Sequence, residues 1–138
     1  MRDMRDISDI IRDLDEFKPV NDDWSALDLL IDEAIEANSP QLITPLLSIL
    51  ERNQSHDGFG VFWSIVHGLE SMDGYEAELK NSVLRKPHEL SVVMLNRLVN
   101  SSVSDIAGTP INALIEQVAM DVNVPEDIRE TAKDLLDD

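Results

Sequence analysis

Apolar residues recur along most of this chain three and four positions apart, the spacing that lines one face of an α-helix. Ile7, Ile10, Ile11, Leu14 and Phe17 form the first such stripe. Lys18-Pro19 ends it, because a residue before proline avoids helical dihedrals. Asn21 or Asp22 is the expected cap of a second helix, with Trp24, Leu27, Leu30, Ile31, Ala34 and Ile35 inward. "NSP" closes it and opens a third, with Ser39 as cap, Pro40 at the first helical position and Leu42, Ile43, Leu46, Leu47 and Leu50 as its stripe. A fourth helix is expected over 58–71, apolar nearly all round and therefore central, with Phe59, Phe62 and Trp63 in the core.

Asp73, with Glu76 three positions on, has the pattern of a capping box at the head of a fifth helix. Pro87 begins a sixth, whose apolar residues are Leu90, Val93, Met94, Leu95 and Leu98. "NSSVSDIAG" forms the longest loop, and Thr109-Pro110 opens a seventh helix with Ile111, Leu114, Ile115, Val118 and Ala119 inward. "NVP" leads to an eighth carrying Ile128, Ala132, Leu135 and Leu136. No segment alternates with period two for long enough to form a strand. The expected fold class is all-α, about eight helices in antiparallel pairs within one domain over 1–138. Leu42, Leu46, Leu47 and Leu50 recur 48 residues later as Leu90, Met94, Leu95 and Leu98, each set after a proline. That faint repeat favours a HEAT-like short solenoid over a compact helical stack.

Composition narrows the class. A chain of 138 residues suggests one domain that buries roughly 70 % of the surface its unfolded form exposes. With 43 % apolar residues, dispersed along the chain, it has the means to build a core. Cysteine is absent, which removes disulfides, thiolate metal sites and thiol nucleophiles. "MRDMRDISDI" mixes acids and bases where a signal peptide needs a basic start and an apolar run. "GFGVFWSIVHGL", free of charge, is too short to span a bilayer. A soluble cytoplasmic protein is therefore expected.

Catalytic chemistry finds little to stand on. His56, His67 and His88 are each solitary. His67 and Glu70 share a helix face and would give a metal two ligands where zinc wants three or four, so a partly buried, hydrogen-bonded His67 is expected. His56-Asp57 has the look of the metal phosphohydrolases but has no earlier histidine to complete it. Ser64 lies one turn before His67 with nothing to orient the base, which leaves it a small core residue. Phosphate-binding glycine loops, the G-x-S-x-G elbow and calcium loops are missing. No active site, metal or cofactor is expected.

Charge is the loudest signal. The net charge of −17 repels nucleic acid and anionic membranes and steers basic partners inward. Acids of the first helix are interleaved with Arg2, Arg5 and Arg12, whose expected pairs are Arg2-Asp6, Arg5-Asp9 and Arg12-Glu16. The second helix differs: Asp28, Asp32 and Glu36 line up at i, i+4 and i+8, flanked by Asp22, Asp23 and Glu33, and no Lys or Arg stands between Pro19 and Glu51. Like charges so placed cost a few tenths of a kcal/mol per pair. Asp32, Glu33 and Glu36 also crowd the negative end of the helix dipole. A basic partner accounts for that tolerance better than solubility alone. Tyr75 is expected to cover the core edge and present its hydroxyl to water or the partner.

The segments "GVFWSIVHGLE", "GYE", "LRKP", "LNRLVN" and "IRETAKDLL" resemble a family of small all-helical immunity proteins from bacterial polymorphic toxin systems, contact-dependent growth inhibition among them. The likeness covers 58–136, and the first two helices match only in style. It implies a cytoplasmic inhibitor, not an enzyme, that neutralises one cognate toxin domain as a monomer in a 1:1 complex. Toxins of these systems are often nucleases, including enzymes that cut transfer RNA, and such enzymes are basic because they hold a phosphate backbone. No binding motif carries over from the family. The candidate partner-binding residues Asp22, Asp23, Asp28, Asp32, Glu33, Glu36 and Tyr75 therefore rest on charge and position alone. The alternative is a HEAT-like adaptor without a toxin partner, whose acids serve solubility.

Overall fold

The structure, a computed structural model, describes residues 5–54, 56 and 58–137, with Phe59 described in its backbone only. Arg2, Asp57 and the Phe59 ring, and with them the expected Arg2-Asp6 pair, lie outside the described residues. Among those residues there are eight α-helices: α1 Ile7–Glu16, α2 Ser25–Ala37, α3 Ile43–Arg52, α4 Phe62–Glu70, α5 Glu76–Arg85, α6 Glu89–Asn100, α7 Ile111–Met120 and α8 Glu126–Leu136. Short 3-10 turns, Pro40–Leu42 and Gly58–Gly60, precede α3 and α4. The fold is all-α. Among the described residues a short, unforeseen ribbon pairs β1 Asp105–Ile106, in the "NSSVSDIAG" loop, with β2 Thr109–Pro110, where the seventh helix was expected to open, Ile106 opposite Thr109. No helix among the described residues is long and apolar enough to cross a membrane. Contacts group the chain into two units, Met1–Ile49 with Asp57–Tyr75, and Leu50–His56 with Glu76–Asp138.

In the first unit α2 packs against α1 and α4. Ile10 and Leu14 face inward from α1, Leu27, Ile31 and Ala34 from α2, and Phe62, Ile65, Val66 and Leu69 from α4, all fully buried. Trp24 stands edge-on to Phe62 at 5.1 Å and tilted to Phe17 at 5.8 Å. Two expectations change here. Neither Asn21 nor Asp22 caps α2: both adopt left-handed backbone (φ 52° and 62°) in a tight turn closed by the Asp23 N–H on the Val20 carbonyl at 3.0 Å. Asn and Asp suit that turn because their short polar side chains tolerate the left-handed region. Trp24 occupies the cap position, without a side-chain cap bond, and the Asp23 carboxylate just before it accepts the Ser25 N–H at 3.0 Å and its hydroxyl at 2.7 Å. The second change is Trp63, expected in the core but 40 % exposed beside His67, their rings 6.0 Å apart. A helix apolar nearly all round does not announce which flank is left open. His67, expected partly buried, is exposed as well.

α4 approaches α2 closely at one point. A Cβ on Gly68 would lie 2.7 Å from both Cγ1 and Cδ1 of Ile35. One turn earlier the Ser64 hydroxyl donates to Asp28 Oδ1 at 3.0 Å, so Ser64 is a bridge between helices and not a core filler.

The second unit packs α7 against α8, α6 against both, and α5 against α6 and α7. The proline-led set Leu90, Met94, Leu95 and Leu98 is buried, as is Leu42, Leu46, Leu47 and Leu50. Val92 is fully buried where Val93 was expected. α5 begins at Glu76, too late for an Asp73 capping box, because Gly74 takes left-handed backbone (φ 80°). α6 begins at Glu89, not Pro87, and its cap is His88. The buried imidazole accepts the Leu90 N–H on Nδ1 at 3.0 Å and meets the His56 carbonyl through Nε2 at 2.8 Å. The amide proton on the first contact fixes the neutral tautomer with hydrogen on Nε2. Ser91 completes the cap by accepting the His88 N–H at 2.8 Å. Burial pushes the His88 ring below its ordinary 6.5, against the upward pull of the His56 carbonyl.

Gly68→Ala is expected to destabilise the protein by up to about 2 kcal/mol, because overpacking costs about 1–3 kcal/mol and the gain in helix propensity returns about 1; denaturant unfolding measures it. For His88 the unfolded chain binds its proton first as pH falls through 6.5, so that part of the stability is lost on acidification below 6.5. Unfolding curves across that window should slope in the native protein and flatten in His88→Asn, which keeps a capping oxygen without titrating.

Candidate partner-binding face

Every Lys and Arg of the first unit lies within its first 18 residues; from Pro19 onward that unit has none. The acids of α2 therefore have few cations to meet, and the structure sorts them by what each does locally. Asp22 Oδ1 accepts the Trp24 indole N–H at 3.1 Å and pins that ring over the core. Asp23 binds Ser25 at the head of the helix, and the two Ser25 hydrogen bonds hold its carboxyl below the usual range. Asp28, half-buried, accepts from Ser64.

Glu33 corrects the notion of a helix without cations. Arg5, which precedes α1, reaches it with two parallel bonds, Nη2 to Oε1 at 2.6 Å and Nε to Oε2 at 3.0 Å. Its remaining nitrogen, Nη1, bonds Asp13 on α1. The expected Arg5-Asp9 pair is absent because Arg5 is not yet helical, so the i, i+4 rule does not govern it. Arg12 likewise turns to Asp9 at 3.2 Å and Asp13 at 3.6 Å, not to Glu16. These bonds raise the Arg5 guanidinium, with Glu33 the larger cause, and hold the Asp13 carboxyl down, with Arg5 the larger cause.

Asp32 and Glu36 remain exposed, and Asp32 has no hydrogen bond or ion pair among the described residues. Between them and Ser25 stands a residue that the charge argument passed over. Leu29 is 72 % exposed, at i+4 from Ser25, with Asp32 and Glu36 at i+7 and i+11 on the same outward stripe. The signal was present: Leu29 is the leucine of α2 that the inward spacing of Leu27, Leu30, Ile31, Ala34 and Ile35 leaves out. A shallow depression beside it is lined by Arg5, Ala26, Leu29, Leu30, Asp32 and Glu33. Tyr75 does not join this face; it is 7 % exposed and belongs to the buried interior. Trp63 is instead the half-exposed aromatic of α4. Among the described residues no three Asp, Glu or His side chains gather to hold a metal ion.

What this face offers chemically is an exposed apolar contact, Leu29, with Asp32 and Glu36 on its stripe and the Arg5-Glu33 pair beside it. Comparison with protein-family models, with curated proteins and with solved structures returned no match.

Arg5→Gln should release the Asp13 carboxyl toward its ordinary 3.8, which carboxyl NMR titration reads directly. Stability from the Arg5-Asp13 bond is present above pH 3.8 and lost as pH falls below it, so acid unfolding of the variant should begin from a lower baseline and show less of that loss.

Proposed function

We propose that this protein is an immunity-type inhibitor that binds a basic toxin domain, a nuclease by preference, through the outward face of α2. The single observation behind this reading is the exposed stripe Leu29, Asp32, Glu36, flanked by Asp28, on a unit without Lys or Arg after Lys18. An exposed apolar residue in line with exposed acids suits a partner that carries a small apolar recess in a basic cleft. Carboxylates there take the place of phosphates and steer the encounter, while Leu29 supplies contact that salt does not screen. The resemblance of 58–136 to immunity proteins adds to the reading, and it bears on the core more than on this face. Inhibition is by occlusion: the partner's phosphate-binding groups are covered, so its substrate is excluded.

The test is coexpression with the C-terminal domain of the protein encoded just upstream, scoring growth and transfer-RNA integrity. Rescue by this chain, and not by an unrelated acidic helical protein, supports the reading; toxicity it cannot relieve, or no toxicity, returns the chain to the adaptor alternative. In the same system the combined variant D28N/D32N/E36Q should fold as before, since Asn keeps an acceptor for Ser64 and the i, i+4 repulsion disappears. Its affinity for the toxin domain should fall by at least about tenfold, or 1.4 kcal/mol, with a shallower salt dependence.

A further inference from the structure

The second unit holds a partly open cavity of about 250 Å³. Its floor is apolar, formed by Val83 of α5, Leu114 and Val118 of α7, and Val124 of the turn before α8. Two opposite charges, Lys86 and Asp121, also line it, and they do not pair with one another within the 4.0 Å of an ion pair. The Lys86 ammonium has no hydrogen bond or ion pair among the described residues. Asp121 accepts the Asn123 N–H on Oδ1 at 2.9 Å, which leaves Oδ2 open.

Arg85 lines the same cavity but is already committed: Glu51 holds its Nε at 3.2 Å and its Nη2 at 3.0 Å. The charges available to a ligand are therefore one cation and one anion. The rim is also braced, because Gln54 Nε2 donates to the Pro87 carbonyl at 2.8 Å, next to Lys86. In a chain with this excess of acid, a lysine that stands near an aspartate without bonding it leaves both charges for a third party. Ligand cavities run from roughly 300 to 1,000 Å³, so this one is too small for a nucleotide and is of amino-acid size.

We propose that this cavity binds a free α-amino acid with an apolar side chain, its carboxylate on Lys86, its ammonium on Asp121, and its side chain on the four apolar residues of the floor. The site lies wholly in the second unit, and its failure or success is separate from that of the α2 face.

The full chain, 15N-labelled, would be titrated with L-leucine, with L-leucinamide, which lacks the carboxylate, and with 4-methylpentanoate, which lacks the ammonium. L-leucine should give saturable shifts at the amides of Val83, Val118 and Val124. Each truncated probe should bind at least about tenfold more weakly, the worth of one charge-assisted contact. Lys86→Gln and Asp121→Asn should each weaken L-leucine by a similar factor while the spectrum elsewhere keeps its native dispersion. The proposal is overturned by the absence of a saturable L-leucine shift, by 4-methylpentanoate binding as well as L-leucine, or by unchanged affinity in both variants.

Discussion

Leu27 and Ile31 are fully buried in the unit that α1 and α4 complete around α2, and each such side chain contributes about 1.5–3 kcal/mol. The repulsion between like charges one turn apart costs a few tenths of a kcal/mol. Packing therefore exceeds repulsion roughly tenfold, and the inward stripe decides how α2 is rotated. Once that rotation is set, Leu29, Asp32 and Glu36 have nowhere to point but outward. The acidic face is a consequence of the core behind it, and its electrostatic cost is small enough to persist without a partner.

Local chemistry reduces that cost further. Asp23 is spent on Ser25, Asp22 on the Trp24 indole, and Glu33 on Arg5. What looked like six equivalent acids is three with structural work, one bridging to Ser64, and two left at the surface. The charge that matters for recognition is thus narrower than composition suggests, and it is paired with an apolar residue. The second unit is built on other terms: its buried cap at His88 and the Glu51-Arg85-Ser82 cluster are polar, and its cavity keeps a cation and an anion apart.

Much of the fold was legible because periodicity is a local property. Leu27, Ile31 and Ala34, or Ile111, Leu114, Ile115 and Val118, could be placed inward by spacing alone. Details that depend on distant residues were not. Glu33 meets a cation 28 positions away, which no window on α2 contains. The turn at Asn21 and Asp22 was misread because those residues serve left-handed turns as readily as caps, and spacing does not separate the two roles. His88 was overlooked as a cap because histidine is not a usual one, although Ser91 three positions on carried part of the signal. Trp63 and Tyr75 exchanged their expected places, since an aromatic residue at a helix flank is buried or open according to what packs beside it.

The most direct test of the α2 face is carboxylate footprinting of this chain, alone and with the toxin domain, using carbodiimide coupling read by mass spectrometry. Asp32 and Glu36 should label readily in the free protein and be protected in the complex, while Glu126, Asp127, Glu130 and Asp134 of α8 label equally in both. Protection confined to α8, with Asp32 and Glu36 still reactive in the complex, would contradict the account and move recognition to the second unit.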